Sequence, residues 1–126
     1  MGYPTEYRYT KEHEWVLLEG SRAKVGITDH AQSELGDVVF VELPTRGAEA
    51  KKGESLATVE SVKAVSDIFA PVGGKVVEIN EQLESAPEKV NQDAHGEGWL
   101  FVLELTDPTE IEQLIDAAAY EQLIAS

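Results

Sequence analysis

Short segments, many of them valine-rich and partly alternating between apolar and polar, recur along most of the chain between glycine or proline punctuation: Glu14 to Leu18, Arg22 to Ile27, Asp37 to Leu43, Ser55 to Glu60, Ser66 to Ala70, Lys75 to Ile79 and Trp99 to Leu105. Successive side chains of a strand point to opposite faces, so segments of this kind bury their apolar side as strands of antiparallel sheets. The pattern predicts a mainly β fold. Glu19-Gly20-Ser21 should turn the first two segments into a hairpin, with Ala23, Val25 and Ile27 on its inner face. Thr28 or Asp29 can cap a short helix near 29–35 in which Ala31 and Leu35 share a face, and Gly36 stands where helices stop. Trp99, Phe101, Leu103 and Leu105 are expected on one face of the last strand.

Beyond residue 105 the pattern changes. Asp107 and Glu110 have capping-box spacing, Pro108 suits a first helical turn, and Ile111, Leu114, Ile115 and Ala118 recur at helical spacing. One helix, within a helical segment over about 108–125 that leaves room for a second turn around Tyr120 to Ala125, is therefore expected to follow a β core over about 13–105. A chain of 126 residues has room for one modest core, so a single domain over 1–126 is predicted.

Composition narrows the function. The formal charge of −14, from 24 acidic and 10 basic residues, repels phosphate and argues against nucleic acid and anionic membranes, leaving basic protein surfaces as partners or solubility alone as its purpose. No apolar run approaches the roughly 18–20 residues that span a bilayer, and the N-terminus has no signal-peptide pattern. With no cysteine there is no thiol nucleophile or thiolate metal site, so any sulfur chemistry must come from an attached group.

Catalytic and metal patterns do not hold up either. His13, His30 and His95 lie far apart in sequence without ligand spacing, and His13-Glu14 lacks the second histidine of a zinc-protease helix because position 17 is Leu17. The run from Asn91 to Gly96 has a faint calcium-loop rhythm, but Val102 stands where the bidentate carboxylate belongs. No phosphate-cradling glycine loop or nucleophile elbow is present. As an enzyme the sequence is silent, and the chain is expected to be a monomer.

One segment carries chemistry: Glu60-Ser61-Val62-Lys63-Ala64-Val65-Ser66-Asp67. Leu56, Val59, Val62 and Val65 recur at spacing three and could form a helical stripe with Lys63 at its edge. Valine richness and the bounds at Gly53 and Pro71 favour a hairpin with Lys63 at its tip. A tip lysine combines a rigid base with a flexible stem able to enter another protein's active site.

ESVKAVSD, followed by AP and VGGKVVEIN, resembles the lipoylation hairpin of glycine cleavage system H proteins. HEWV at 13–16, VGITDHAQSELGDVVFVELP at 25–44 and VNQDAHGEGWL at 90–100 are similar to the same family, in the same order, so the likeness spans nearly the whole chain. His95 stands where an aromatic residue is common, and Ala94 where proline is common. The resemblance implies a barrel-sandwich hybrid of two small antiparallel sheets, like the lipoyl- and biotinyl-carrier domains, with a C-terminal helix added. It implies lipoic acid in amide linkage to Lys63. The arm would carry an aminomethyl group from a pyridoxal-phosphate-dependent glycine decarboxylase to a tetrahydrofolate-dependent aminomethyltransferase, then be reoxidised by a flavin-dependent dihydrolipoamide dehydrogenase. A lipoate-attaching enzyme would be a further partner.

By the same likeness Glu14 and Asp67 match acidic positions that receive the loaded arm's amine, while Glu60 and Ser61 match the region a lipoate-attaching enzyme reads. Each could equally be ordinary surface or structure. The expected location is the bacterial cytoplasm, or the mitochondrial matrix for a mature organellar form. Two alternatives are a biotin carrier, disfavoured because Met1 is the only methionine, and an acidic interaction domain or lipoyl donor.

Overall fold

The computed structural model describes residues 3–125. Among these residues nine strands form two antiparallel sheets. In chain order they are β1 (Arg8–Tyr9), β2 (Glu14–Glu19), β3 (Arg22–Ile27), β4 (Val38–Glu42), β5 (Glu49–Ala50), β6 (Ser55–Ser61), β7 (Val65–Phe69), β8 (Gly74–Ile79) and β9 (Phe101–Leu105). One sheet has the order β1-β2-β3-β9-β8-β5 and the other β4-β6-β7. Their inner faces interleave: Val16, Val25, Ile27, Val76, Phe101 and Leu103 from the first meet Val38, Val41, Ala57, Val59 and Ile68 from the second in one buried cluster.

The β2–β3 hairpin has the register expected of it, from Glu14 opposite Ile27 to Glu19 opposite Arg22. Gly20 takes φ +65° at its turn, a conformation that glycine adopts without steric cost. Ala23, Val25 and Ile27 are all buried. Helix α1 (Asp29–Leu35) starts at Thr28, whose side chain accepts from the Ala31 N–H, and ends at Gly36 with φ +83°. Segment 55–69 is a hairpin, and the helical alternative for it is excluded: Glu60 pairs with Val65 and Thr58 with Asp67.

Three expectations fail for tertiary reasons. Trp99 lies outside β9, half-buried beneath the Lys24 ammonium at 5.4 Å, while its neighbour Leu100 enters the main core. The inward row therefore begins at Phe101. Segment 108–125 is not one helix: Pro108–Gln113 is a 3-10 turn, Ile115 is extended, and a separate helix runs over Ala117–Ala125. The break is imposed by Tyr9 and Ile115, which exchange both backbone hydrogen bonds at 2.8 and 2.9 Å and add Ile115 to the edge of β1. The capping box does not form either. Asp107 accepts from the Thr109 N–H, and the Glu110 carboxylate reaches the Gly73 N–H at 2.8 Å instead of turning back.

Helices α2 (Gln82–Ser85) and α3 (Lys89–Gln92) precede α4 (Ala117–Ala125) and give no periodic signal, being one turn each. α4 closes a second small core in which Tyr120 stacks on Tyr9 at 4.8 Å beside Trp15 and Ala117.

Candidate functional site

Lys63 is exposed at the tip of the β6–β7 hairpin. Its loop is short and braced. The Ser61 N–H donates to the Ala64 carbonyl at 2.8 Å, and the buried Ser61 Oγ accepts from the N–H groups of Lys63 and Ala64 at 3.2 and 3.0 Å. The hydroxyl satisfies the backbone donors of a turn that cannot continue the ladder. The Val62 N–H donates to the Asp37 carbonyl at 3.0 Å, tying the tip to the turn before β4. Asn91 holds that turn in place: Oδ1 accepts from the Val38 N–H at 2.8 Å, and Nδ2 donates to the Gly36 carbonyl and to Gln32 Oε1, both at 2.9 Å. A flexible stem thus rises from a base fixed to two helices.

Asn91 and Gly36 are positioning residues that the sequence did not disclose. Asn91 seemed only the start of a failed calcium loop. Gly36 seemed only a helix stop, yet the Lys63 stem lies over it so closely that an added Cβ would stand 3.4 Å from Cε.

Glu14, the first residue of β2, is 2% exposed. Its carboxylate accepts from the Thr10 hydroxyl at 2.8 Å and from the Phe69 N–H at 3.1 Å, on the free edge of β7. Burial pushes its carboxyl up to about 7, while the hydrogen bonds from Thr10 and Phe69 pull the other way. Beside it opens a cleft of about 470 Å³ walled by Thr10, Glu12, Lys52, Phe69 and Leu114. A smaller groove of about 210 Å³ runs between α1 and β7, lined by His13, Ala31, Leu35, Ser66 and Ile68, and Glu12 borders both cavities. The groove's Leu35 end adjoins Gly36 and so the Lys63 stem.

Asp67 does not share this position. Alternation along β7 turns Ser66 and Ile68 to the groove and Asp67 to the exposed face, where the Ser55 hydroxyl donates to it at 3.5 Å. Glu60 lies on that same exposed face, directly opposite Val65. Histidines far apart in sequence are also not far apart in space: the rings of His13 and His30 stand 4.8 Å apart, and His13 Nδ1 meets the Tyr120 hydroxyl at 2.7 Å. The unusual residues at 94 and 95 serve as struts. The Ala94 carbonyl accepts from Trp15 Nε1 at 2.8 Å, and His95 Nε2 accepts from the Asp29 N–H at 3.0 Å.

Two small antiparallel sheets packed face to face, with a braced lysine at an exposed hairpin tip, define a carrier domain of the lipoyl and biotinyl type. The glycine cleavage H-protein family model matches residues 7–126. The chain is 58% identical over 125 residues to the glycine cleavage system H protein of Koribacter versatilis, covering 99% of this chain and 96% of that one. It is 55% identical over 118 residues to that of Thermotoga maritima. The crystal structure of the glycine cleavage system H protein from Mycobacterium marinum superposes with a TM-score of 0.90 at 36% identity, covering 98% of this chain and all of that one. The chain belongs to the glycine cleavage H-protein family.

Proposed function

We propose that the whole chain is one non-catalytic carrier domain and that Lys63 is its point of lipoylation. The observation that carries this reading is the tip itself: an exposed primary amine on a turn whose backbone donors are satisfied by Ser61 and whose base is held by Asn91. Lys11 also lies in an exposed turn, between β1 and β2, but of the seven lysines only Lys63 has a tip braced by Ser61 and Asn91. The lipoyl group would supply the sulfur chemistry that a chain without cysteine lacks, accepting the aminomethyl group derived from glycine. Proposed partners are the glycine decarboxylase, the aminomethyltransferase, dihydrolipoamide dehydrogenase and a lipoate-attaching enzyme, met by a monomer in the cytoplasm or mitochondrial matrix.

The chain's own residues give the cargo a resting place. Strand β7 extends about 13 Å from Val65 to Phe69, within reach of a lysyl-lipoyl arm of about 15 Å laid along the groove. The arm's outer end would then reach Glu14. A protonated amine arriving there favours the ionised carboxylate, and each group holds the other in its charged form. Unit charges about 4 Å apart attract by roughly 1 kcal/mol in water and about 4 kcal/mol in a partly shielded cleft, enough to bias docking without trapping the arm. An amine kept protonated is a poor nucleophile, so the loaded group is protected between enzymes. Asp67, on the other face of β7, would meet an arm only outside the groove.

Peptide mapping after treatment with a lipoate ligase tests the assignment. Modification at Lys63 alone is expected, and Lys63→Arg should fold as the parent does yet support no glycine turnover. Modification of Lys51, Lys52 or Lys75 with Lys63 bare would overturn it.

A further inference from the structure

Six large apolar side chains are exposed among the described residues, and four of them, Val39, Phe40, Val62 and Val65, lie on the three-stranded sheet and the tip loop it carries. Their placement has a backbone cause. A bulge between Val38 and Phe40 interrupts the pairing of β4 with β6, so Val38 and Val41 point into the core while both residues between them face water. Phe40 is 51% exposed. It stands opposite Glu60, which stands opposite Val65, so these three form one cross-strand row immediately below Lys63. The next row is Glu42, Thr58 and Asp67. Over residues 37–43 and 55–69 Lys63 is the only lysine or arginine, against Asp37, Glu42, Glu60 and Asp67. The face is an aromatic anchor with valine neighbours inside an acidic rim, the composition of an interface centre.

We propose that this outer face is the docking surface for the lipoate-attaching enzyme, and that Phe40 is its anchor; the inference rests on Lys63 being the lipoylated residue. The occupant follows from distance. The uncharged Nζ attacks the carbonyl carbon of a lipoyl group activated as its adenylate. The C–N bond forms, the acyl–phosphate bond breaks, AMP leaves, and the amine's proton passes to solvent. ATP supplies the activation. The attacking nitrogen is only about 6 Å from the Lys63 Cα, so this enzyme must close over the residues around the tip. An enzyme acting on the far end of the finished arm works about 15 Å from the same backbone and has no such need. The four carboxylates call for a basic rim around the attaching enzyme's active-site mouth.

The test uses the unmodified chain with a lipoate ligase, ATP and lipoic acid, following the modification rate against chain concentration. Phe40→Ser and Val65→Thr alter exposed residues, and Leu18→Ser serves as a control at a distant exposed site. Phe40→Ser is expected to raise the half-saturating chain concentration about tenfold or more, with the maximal rate within twofold of the parent. After complete lipoylation at high ligase, its half-saturation for the glycine decarboxylase should match the parent's. An unchanged ligase half-saturation in both Phe40→Ser and Val65→Thr would overturn the docking face. An equal loss at the decarboxylase would also overturn the assignment, because the face would then serve that enzyme as well. A parent chain not modified at Lys63 would remove the reading of Lys63 itself, a result distinct from either.

Discussion

Glu14 starts a strand, yet its carboxylate is shut away from water between Thr10 and the edge of β7. A carboxyl raised from 4.5 to about 7 binds its proton more tightly in the folded chain than in the unfolded one. The stability this contributes is complete below about pH 4.5 and is lost as pH rises through about 7. Glu14→Gln keeps an oxygen for the Phe69 N–H and carries no charge at any pH. Urea unfolding should therefore show the variant gaining about 2.5 kcal/mol on the parent between about pH 5 and about pH 8. A difference that does not change with pH would mean the carboxylate is open to solvent. The same substitution tests the docking role: once lipoylated and loaded by the decarboxylase, the variant should release ammonia faster than the parent when that enzyme is removed. Equal rates would place the protective cleft elsewhere.

At the scale of the element, one hydroxyl braces the tip of the β6–β7 hairpin beside the backbone bonds that close it. Ser61 Oγ is the acceptor for two consecutive tip N–H groups, on a residue that is 6% exposed. Ser61→Ala leaves those donors short of a partner, and thermal unfolding should show a loss of about 1–3 kcal/mol. A looser tip should also slow modification of Lys63 several-fold, read by intact mass against time. Full modification rate with unchanged stability would show that Asp37 and Asn91 alone suffice to hold the loop. The contrast with the C-terminal segment is instructive. Both had clear local patterns, but the hairpin's partners are adjacent in sequence, while Ile115 is claimed by Tyr9 from the other end of the chain.

For the whole molecule the charge of −14 is the dominant property. A carrier that visits several enzymes in turn gains from rapid, weak encounter, and attraction between an acidic carrier and basic partner surfaces supplies it. The half-saturating concentration of the lipoylated chain for glycine decarboxylase is expected to rise as ionic strength goes from low to physiological, because screening shortens to about 8 Å. Indifference to salt would leave the acidity as a solubility device only.

Strand period, turn glycines and the setting of Lys63 were legible in the sequence because each depends on neighbours a few residues away: Thr28 and Gly36 bound α1, Gly20 turns β2 into β3, and the 55–69 segment pairs with itself. Glu14 was legible as a candidate only through family likeness, since nothing local marks a carboxylate that will be buried. Long-range packing decided the rest. The bulge that exposes Phe40, the strut from Asn91 to Gly36 and Val38, the contact of His13 with His30, and the exchange of bonds between Tyr9 and Ile115 all join residues whose separation in sequence carries no periodic signal. Such pairings are selected by which surfaces the two sheets leave to be covered, and that is a property of the assembled fold.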